Sequence, residues 1–259
     1  MSASQKPHTD QRDRIFRQFQ TEKFDPRHAV PAVSMTVSAD VAALQSVRRS
    51  YNAGLPADGR ASLTHVLVKA AGVALGDFPE LYSAFDGKRV VSSGSIRINL
   101  PVAEQNHVEY VVIDSPDRKG VAEIGAEVRE EIARIRAGQG TFYHVIRDAM
   151  KAPSILRKAV GSIPRVRIRN FNEYYGNFPI TNFGSFGVET GIPVVASPAI
   201  AVLCVGAVKE GTTLLPLTLV FDHRCVDGAR GGAFLGALKG VLEREPATLF
   251  ELPAARRSA

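Results

Sequence analysis

The stretch Leu217-Thr218-Leu219-Val220-Phe221-Asp222-His223-Arg224-Cys225-Val226-Asp227-Gly228 decides how this chain is read. Its first five residues form a mostly apolar run of strand length. After Gly228 the pattern turns helical, with Phe234, Leu235, Leu238, Val241 and Leu242 on one face and Pro246 marking the limit. Asp222 to Asp227 therefore fill a tight strand-to-helix connection, where rigid elements hold a side chain that can still face a cleft. A neutral imidazole there, with one ring nitrogen free, is a competent general base. On spacing alone a second reading stands beside it: Asp222, His223 and Arg224 as exposed turn residues, with Asp227 as the N-cap of the final helix.

Outward from this connection, Ala199 to Val205 reads as a buried strand, preceded by Asn177–Asn182 and a glycine-rich turn at Phe183-Gly184-Ser185-Phe186-Gly187. Near the start, Val33, Met35 and Val37 alternate with Ser34, Thr36 and Ser38, the period of a half-buried strand. Asp40 is then an N-cap candidate for a helix burying Val41, Leu44, Val47 and Tyr51. Further helices are expected over Leu63–Leu75 and Val121–Arg136, and strands over Ile96–Val102 and Glu109–Ile113. Asp86-Gly87, between Ala84-Phe85 and Val90-Val91, is a hairpin signal. Short helices are expected between Thr141 and Phe171, where Pro153 and Pro164 interrupt the pattern. Helices and strands mix without strict alternation, which argues for an α+β fold with a mixed sheet. The expected organisation is a disordered tail over residues 1–11, one domain over 12–252 and a C-terminal tail over 253–259.

Of the 259 residues, 45% are hydrophobic and 22% charged, a composition able to bury a substantial core. The net charge of +6 suits a polyanionic partner or a phosphate-bearing cofactor. The one dense basic cluster runs from Lys151 to Arg169, without a zinc-finger spacing or an aromatic RNA-binding signature, so nucleic acid is not an expected partner. The longest unbroken apolar stretch, Ala199 to Val208, is about half the roughly 20 residues of a membrane-spanning helix, and no membrane partner is expected. The polar start and two cysteines outside any Cys-x-x-Cys pattern point to a reducing, cytoplasmic setting. His8, His28, His65, His107 and His144 lack metal-ligand spacing, so no metal is expected.

The run Asp222-His223-Arg224-x-x-Asp227-Gly228 resembles the active-site motif of the acyltransferase (E2) catalytic domains of 2-oxoacid dehydrogenase complexes, which share the chloramphenicol acetyltransferase fold. Other segments match that family in the same order: Phe78-Pro79-Glu80-Leu81-Tyr82-Ser83-Ala84-Phe85-Asp86-Gly87, Phe178-Pro179-Ile180-Thr181-Asn182-Phe183-Gly184 and Pro198-Ala199-Ile200-Ala201-Val202-Leu203-Cys204-Val205-Gly206. The likeness covers roughly Arg12 to Leu252. It implies a chloramphenicol acetyltransferase-like mixed β-sheet flanked by helices, and transfer of an acyl group from acyl-coenzyme A to an acceptor.

In the resembled mechanism His223 takes the acceptor's proton, and the hydroxyl of the residue matching the family serine, here Thr181, stabilises the oxyanion. Ser185 is the rival hydroxyl, and also a candidate contact to coenzyme A. Asp227 is implied to hold an arginine near the chain start, Arg12 or Arg14. The family's site lies between subunits of a trimer, which implies a homotrimer. Gly232, Gly236 and Gly240 offer a close-packing surface, for another element or for the core.

Departures matter too. The chain before Arg12 is too short for a lipoyl-bearing domain, so no lipoyl attachment is expected here. Gly140–Asn177 is longer than the family's counterpart. Its Lys151, Arg157, Lys158, Arg165, Arg167 and Arg169 either meet the phosphates of coenzyme A, through Arg165 and Arg167, or meet an acidic carrier protein, or form a solvated basic face. Two alternatives to a free-standing acyltransferase are a core subunit acting on lipoyl groups of another chain and a silent trimeric scaffold. Cys225 stands at a variable apolar position of the resembled motif and is not expected to be a nucleophile.

Overall fold

The computed structural model describes residues 11–24, 29–104 and 107–251. Apart from residue 11, which opens the first helix, the expected tails lie outside them. The elements run α1 (Gln11–Lys23), β1 (Ala32–Asp40), α2 (Ala42–Asn52), α3 (Leu63–Leu75), β2 (Ala84–Phe85), β3 (Val90–Val91), β4 (Arg97–Glu104), β5 (His107–Asp114), α4 (Val121–Arg136), α5 (Thr141–Met150), α6 (Ser154–Gly161), α7 (Pro164–Asn170), β6 (Phe178–Asn182), β7 (Ala201–Val205), β8 (Leu214–Asp222) and α8 (Gly228–Glu243).

Six strands form one mixed sheet in the order β1-β8-β7-β6-β4-β5. The β7–β6 and β6–β4 pairs are parallel and the rest antiparallel. One face carries Leu203, Leu217, Leu219 and Phe221 against α3 and α8 in the main core. The opposite face carries Val202 and Val220 into a second cluster with Phe16, Tyr110, Phe142 and Tyr175. Strands β7 and β8 are therefore buried on both faces, the physical reason they read as continuous rather than alternating apolar runs. Edge strand β1 keeps one polar face in solvent and alternates as expected.

Local expectations hold with small shifts of boundary. Helix α3 begins with a reciprocal cap: the Ser62 hydroxyl accepts from the His65 amide (3.2 Å) and His65 Nδ1 accepts from the Ser62 amide (3.2 Å). The residue before α2 is Val41 rather than Asp40, yet Asp40 Oδ1 still accepts from the Ala42 amide at 3.0 Å. The β2–β3 connection spans Asp86–Arg89, longer than the two-residue turn that Asp86-Gly87 suggests. The Asp86 carboxylate accepts from the amides of both Lys88 and Arg89, and these bonds favour the wider turn.

The glycine row of α8 is not pressed against the rest of the chain. A Cβ at Gly236 would meet nothing, and one at Gly232 would make ordinary contact with Met35. The close approach is at Gly231, where a Cβ would lie 2.6 Å from the Phe221 ring.

Candidate active site

Strand β8 delivers the site. Its ladder continues past Asp222, whose amide donates to Ile200, into His223, whose amide donates to the Pro31 carbonyl at 3.0 Å. The His223 backbone is thus fixed between β1 and the start of α8, which Asp227 caps by accepting from the Arg230 amide at 2.9 Å. His223 Nδ1 lies 3.1 Å from the Val226 carbonyl oxygen. A carbonyl only accepts, so Nδ1 carries the proton of the neutral ring and Nε2 is left with its lone pair. The ring is exposed in the single chain.

Asp222 is buried (1% exposed) and bound end-on by Arg224, with Nε to Oδ1 at 2.9 Å and Nη2 to Oδ2 at 2.7 Å. The Arg224 guanidinium also lies over the Phe85 ring, 4.8 Å from its centroid. This fork locks the residue that follows His223 and draws the β2–β3 hairpin to the site. Burial, helped by the charge of Asp222, pushes the Cys225 thiol up to about 11, so at neutral pH it stays protonated and is a poor nucleophile.

Thr181 lies on β6 and faces the side of the sheet opposite Leu203 and Phe221, in register with Cys204 on β7 and, through it, Thr218 on β8. Its hydroxyl has no hydrogen-bond partner among the described residues. The Ser185 hydroxyl instead donates to the Asn182 carbonyl at 2.7 Å, so its proton is already engaged in the turn. Asn182 in turn donates to the Thr64 hydroxyl at 3.0 Å, tying the loop to α3.

The structure does not bring His223 and Thr181 together within one chain. His223 lies five residues beyond the row shared with Thr181, roughly 17 Å along the strands, and two strands away, about 10 Å across. No rotamer closes such a gap.

One sequence expectation is placed differently. Arg12 does not pair with Asp227: its guanidinium binds the buried Glu109 and the Ile135 carbonyl, because α1 packs on β5. Arg165 is exposed on α7. Arg167 on the same helix is partly buried, and its proton affinity is lowered by that burial and raised by the nearby charge of Asp86. Asp86 adjoins Phe85, the ring beneath Arg224, so the Arg167 side chain lies toward the β2–β3 hairpin. The Arg224–Phe85 and His223–Val226 contacts were not foreseen. The first depends on the path of a distant hairpin, and the second on the exact turn of the backbone within the connection, which the residue pattern does not specify.

A mixed six-stranded sheet with a histidine held between strand β8 and a capped helix has the chloramphenicol acetyltransferase-like fold. The chloramphenicol acetyltransferase structure superposes with a TM-score of 0.54 at 18% identity, over 94% of this chain and all of that one. The chain belongs to the 2-oxoacid dehydrogenases acyltransferase (catalytic domain) family, whose model matches residues 2–145 and 165–251. The acetyltransferase component of the acetoin cleaving system of Bacillus subtilis is 30% identical over 231 residues, covering 84% of this chain and 50% of that protein. The dihydrolipoamide acetyltransferase of Azotobacter vinelandii shares the fold with a TM-score of 0.71 at 22% identity, over 91% of each chain. The chain spans half or less of the length of these full curated relatives.

Proposed function

We propose that the protein transfers an acyl group from coenzyme A to an acceptor thiol, hydroxyl or amine in a site shared by two copies of the chain, with His223 from one and Thr181 from its neighbour. His223 Nε2 takes the acceptor's proton as its heteroatom attacks the thioester carbonyl. The tetrahedral oxyanion accepts a hydrogen bond from Thr181. Collapse expels the coenzyme A thiolate, which recovers the proton from His223. No covalent enzyme intermediate is involved, and Asp227 acts by capping α8 and so holding the connection.

The observation that carries this reading is the separation of roughly 17 Å along the strands between an oriented base and a hydroxyl with no partner in its own chain. An exposed apolar segment beside Thr181 supports it: Phe186, Ile192 and Val194 are 69%, 70% and 69% exposed, a surface a second copy would cover. A homotrimer is the assembly we infer. Arg165 and Arg167 are proposed to meet the phosphates of coenzyme A, since Arg167 lies near enough to the β2–β3 hairpin to feel the charge of Asp86. Ser185, with its proton engaged, is left as a contact that accepts. The relatives are named for transfer to dihydrolipoyllysine, so dihydrolipoamide is the first acceptor to try.

The test is complementation. His223→Ala and Thr181→Val chains are purified separately, then mixed under conditions that exchange subunits, and thiol release from acyl-coenzyme A is followed. If the site is shared, each variant alone is inactive and the mixture regains roughly a quarter of the native sites. A mixture as inactive as its parts sinks the shared site. Unchanged thiol release in His223→Ala sinks the base.

A further inference from the structure

We infer that α6 is a peripheral membrane-binding element that docks the protein reversibly on anionic lipid surfaces.

Helix α6 is amphipathic but mounted the wrong way round. At about 100° per residue, Ile155, Leu156, Ala159 and Val160 share an arc of roughly 140°. A surface helix normally turns such an arc to the core. Here none of its residues is buried, and Ile155, Leu156 and Val160 are 83%, 53% and 39% exposed. Ile163, just beyond, is 49% exposed. The side facing the body is held by Arg157, which pairs with Glu22 of α1 at 2.6 Å and has 11% of its side chain exposed. The helix is therefore anchored by a charge and shows its aliphatic face outward.

Charge identifies what covers that face. Between Ala149 and Asn172 the chain carries six cations and no acidic residue. Lys158, within α6, and Arg169, on the next helix, are exposed. A second copy meeting this face with its own α6 would set like charges against each other. A protein partner of stable affinity needs about 800 Å² on each side, far more than a helix roughly 12 Å long presents. A bilayer makes no such demand: a few aliphatic side chains enter the headgroup boundary while cations meet lipid phosphates. Residues 146–164 also fall outside the family match, so this surface is an addition to the shared fold. With one short helix and a few cations, binding is weak and reversible.

Flotation of the full chain with vesicles tests this. Phosphatidylcholine vesicles are compared with phosphatidylcholine vesicles containing phosphatidylglycerol. The chain is expected to float with the anionic vesicles only, to be released by salt, and to lose binding in the double variant Ile155→Asp, Val160→Asp. Lys158→Ala should weaken it roughly fivefold. Both substituted aliphatics are exposed, so circular dichroism and thermal melting should match the native chain. Failure to float with anionic vesicles overturns the proposal. So does equal flotation of the double variant, or equal binding to neutral vesicles. A native assembly that the double variant splits, without lipid binding, would assign the face to contact between copies.

Discussion

His223 Nδ1 and the Val226 carbonyl oxygen, 3.1 Å apart, hold the imidazole in one tautomer. The free Nε2 follows from that contact and needs no carboxylate partner. Replacing His223 with Ala should lower kcat by about 10²–10⁴-fold, with KM for the acyl donor nearly unchanged. Steady-state kinetics with acetyl-coenzyme A and dihydrolipoamide check this.

The hydroxyl of Thr181 should matter only in the transition state. Thr181→Val, which keeps the shape and removes the donor, is expected to cost about 10²–10³-fold in kcat. Thr181→Ser should retain most of the activity, and Ser185→Ala should change it little because its proton is spent on Asn182. A Ser185→Ala loss as large as that of Thr181→Val would reassign the oxyanion donor.

Asp222 and Arg224 hold the connection by a planar two-point contact. Lysine keeps the charge of Arg224 but not the fork, so Arg224→Lys should still lower kcat. Asp222→Ala removes a carboxylate bound by an arginine whose side chain is 44% exposed and can be rehydrated. The loss of stability is expected to stay near 2 kcal/mol, read as a drop of roughly 4–8 °C in Tm.

The cap of α3 makes stability pH-dependent. Burial, with the charge of Arg129 second, lowers His65 to about 4, and its Nδ1 must stay unprotonated to accept from Ser62. Between the unfolded value near 6.5 and about 4 the unfolded chain binds the extra proton. Stability is therefore full above about 6.5 and declines as pH falls toward 4, by about 3 kcal/mol at most. His65→Gln can keep the reciprocal cap without titrating. Urea unfolding at pH 7 and pH 4.5 should show a smaller difference for that variant than for the native chain.

Glycines of one helix should behave oppositely. Gly231→Ala drives a methyl into Phe221 and should cost about 1–3 kcal/mol. Gly236→Ala meets nothing in the chain and should raise stability by about 0.5–1 kcal/mol. If thermal melts show Gly236→Ala destabilising as well, that face of α8 is packed in the assembly.

What the sequence by itself determined was local. The apolar run of β8, the cap at Asp227 and the 3.6-residue period of α8 each arise from neighbours a few residues apart, and together they put His223 on a rigid strand-to-helix connection. The alternation of β1 and the proline-broken helices after Thr141 were legible for the same reason. Tertiary structure decided the rest. Arg12 went to Glu109 because α1 packs on β5, Arg224 found Phe85 because a hairpin lies over it, and Thr181 fell far from His223 because of strand order and register. The outward turn of the apolar face of α6 belongs here as well: a helical period says which residues share a side, while the direction of that side depends on an ion pair between residues 22 and 157. Such relationships join residues far apart in the chain, and no local pattern encodes them.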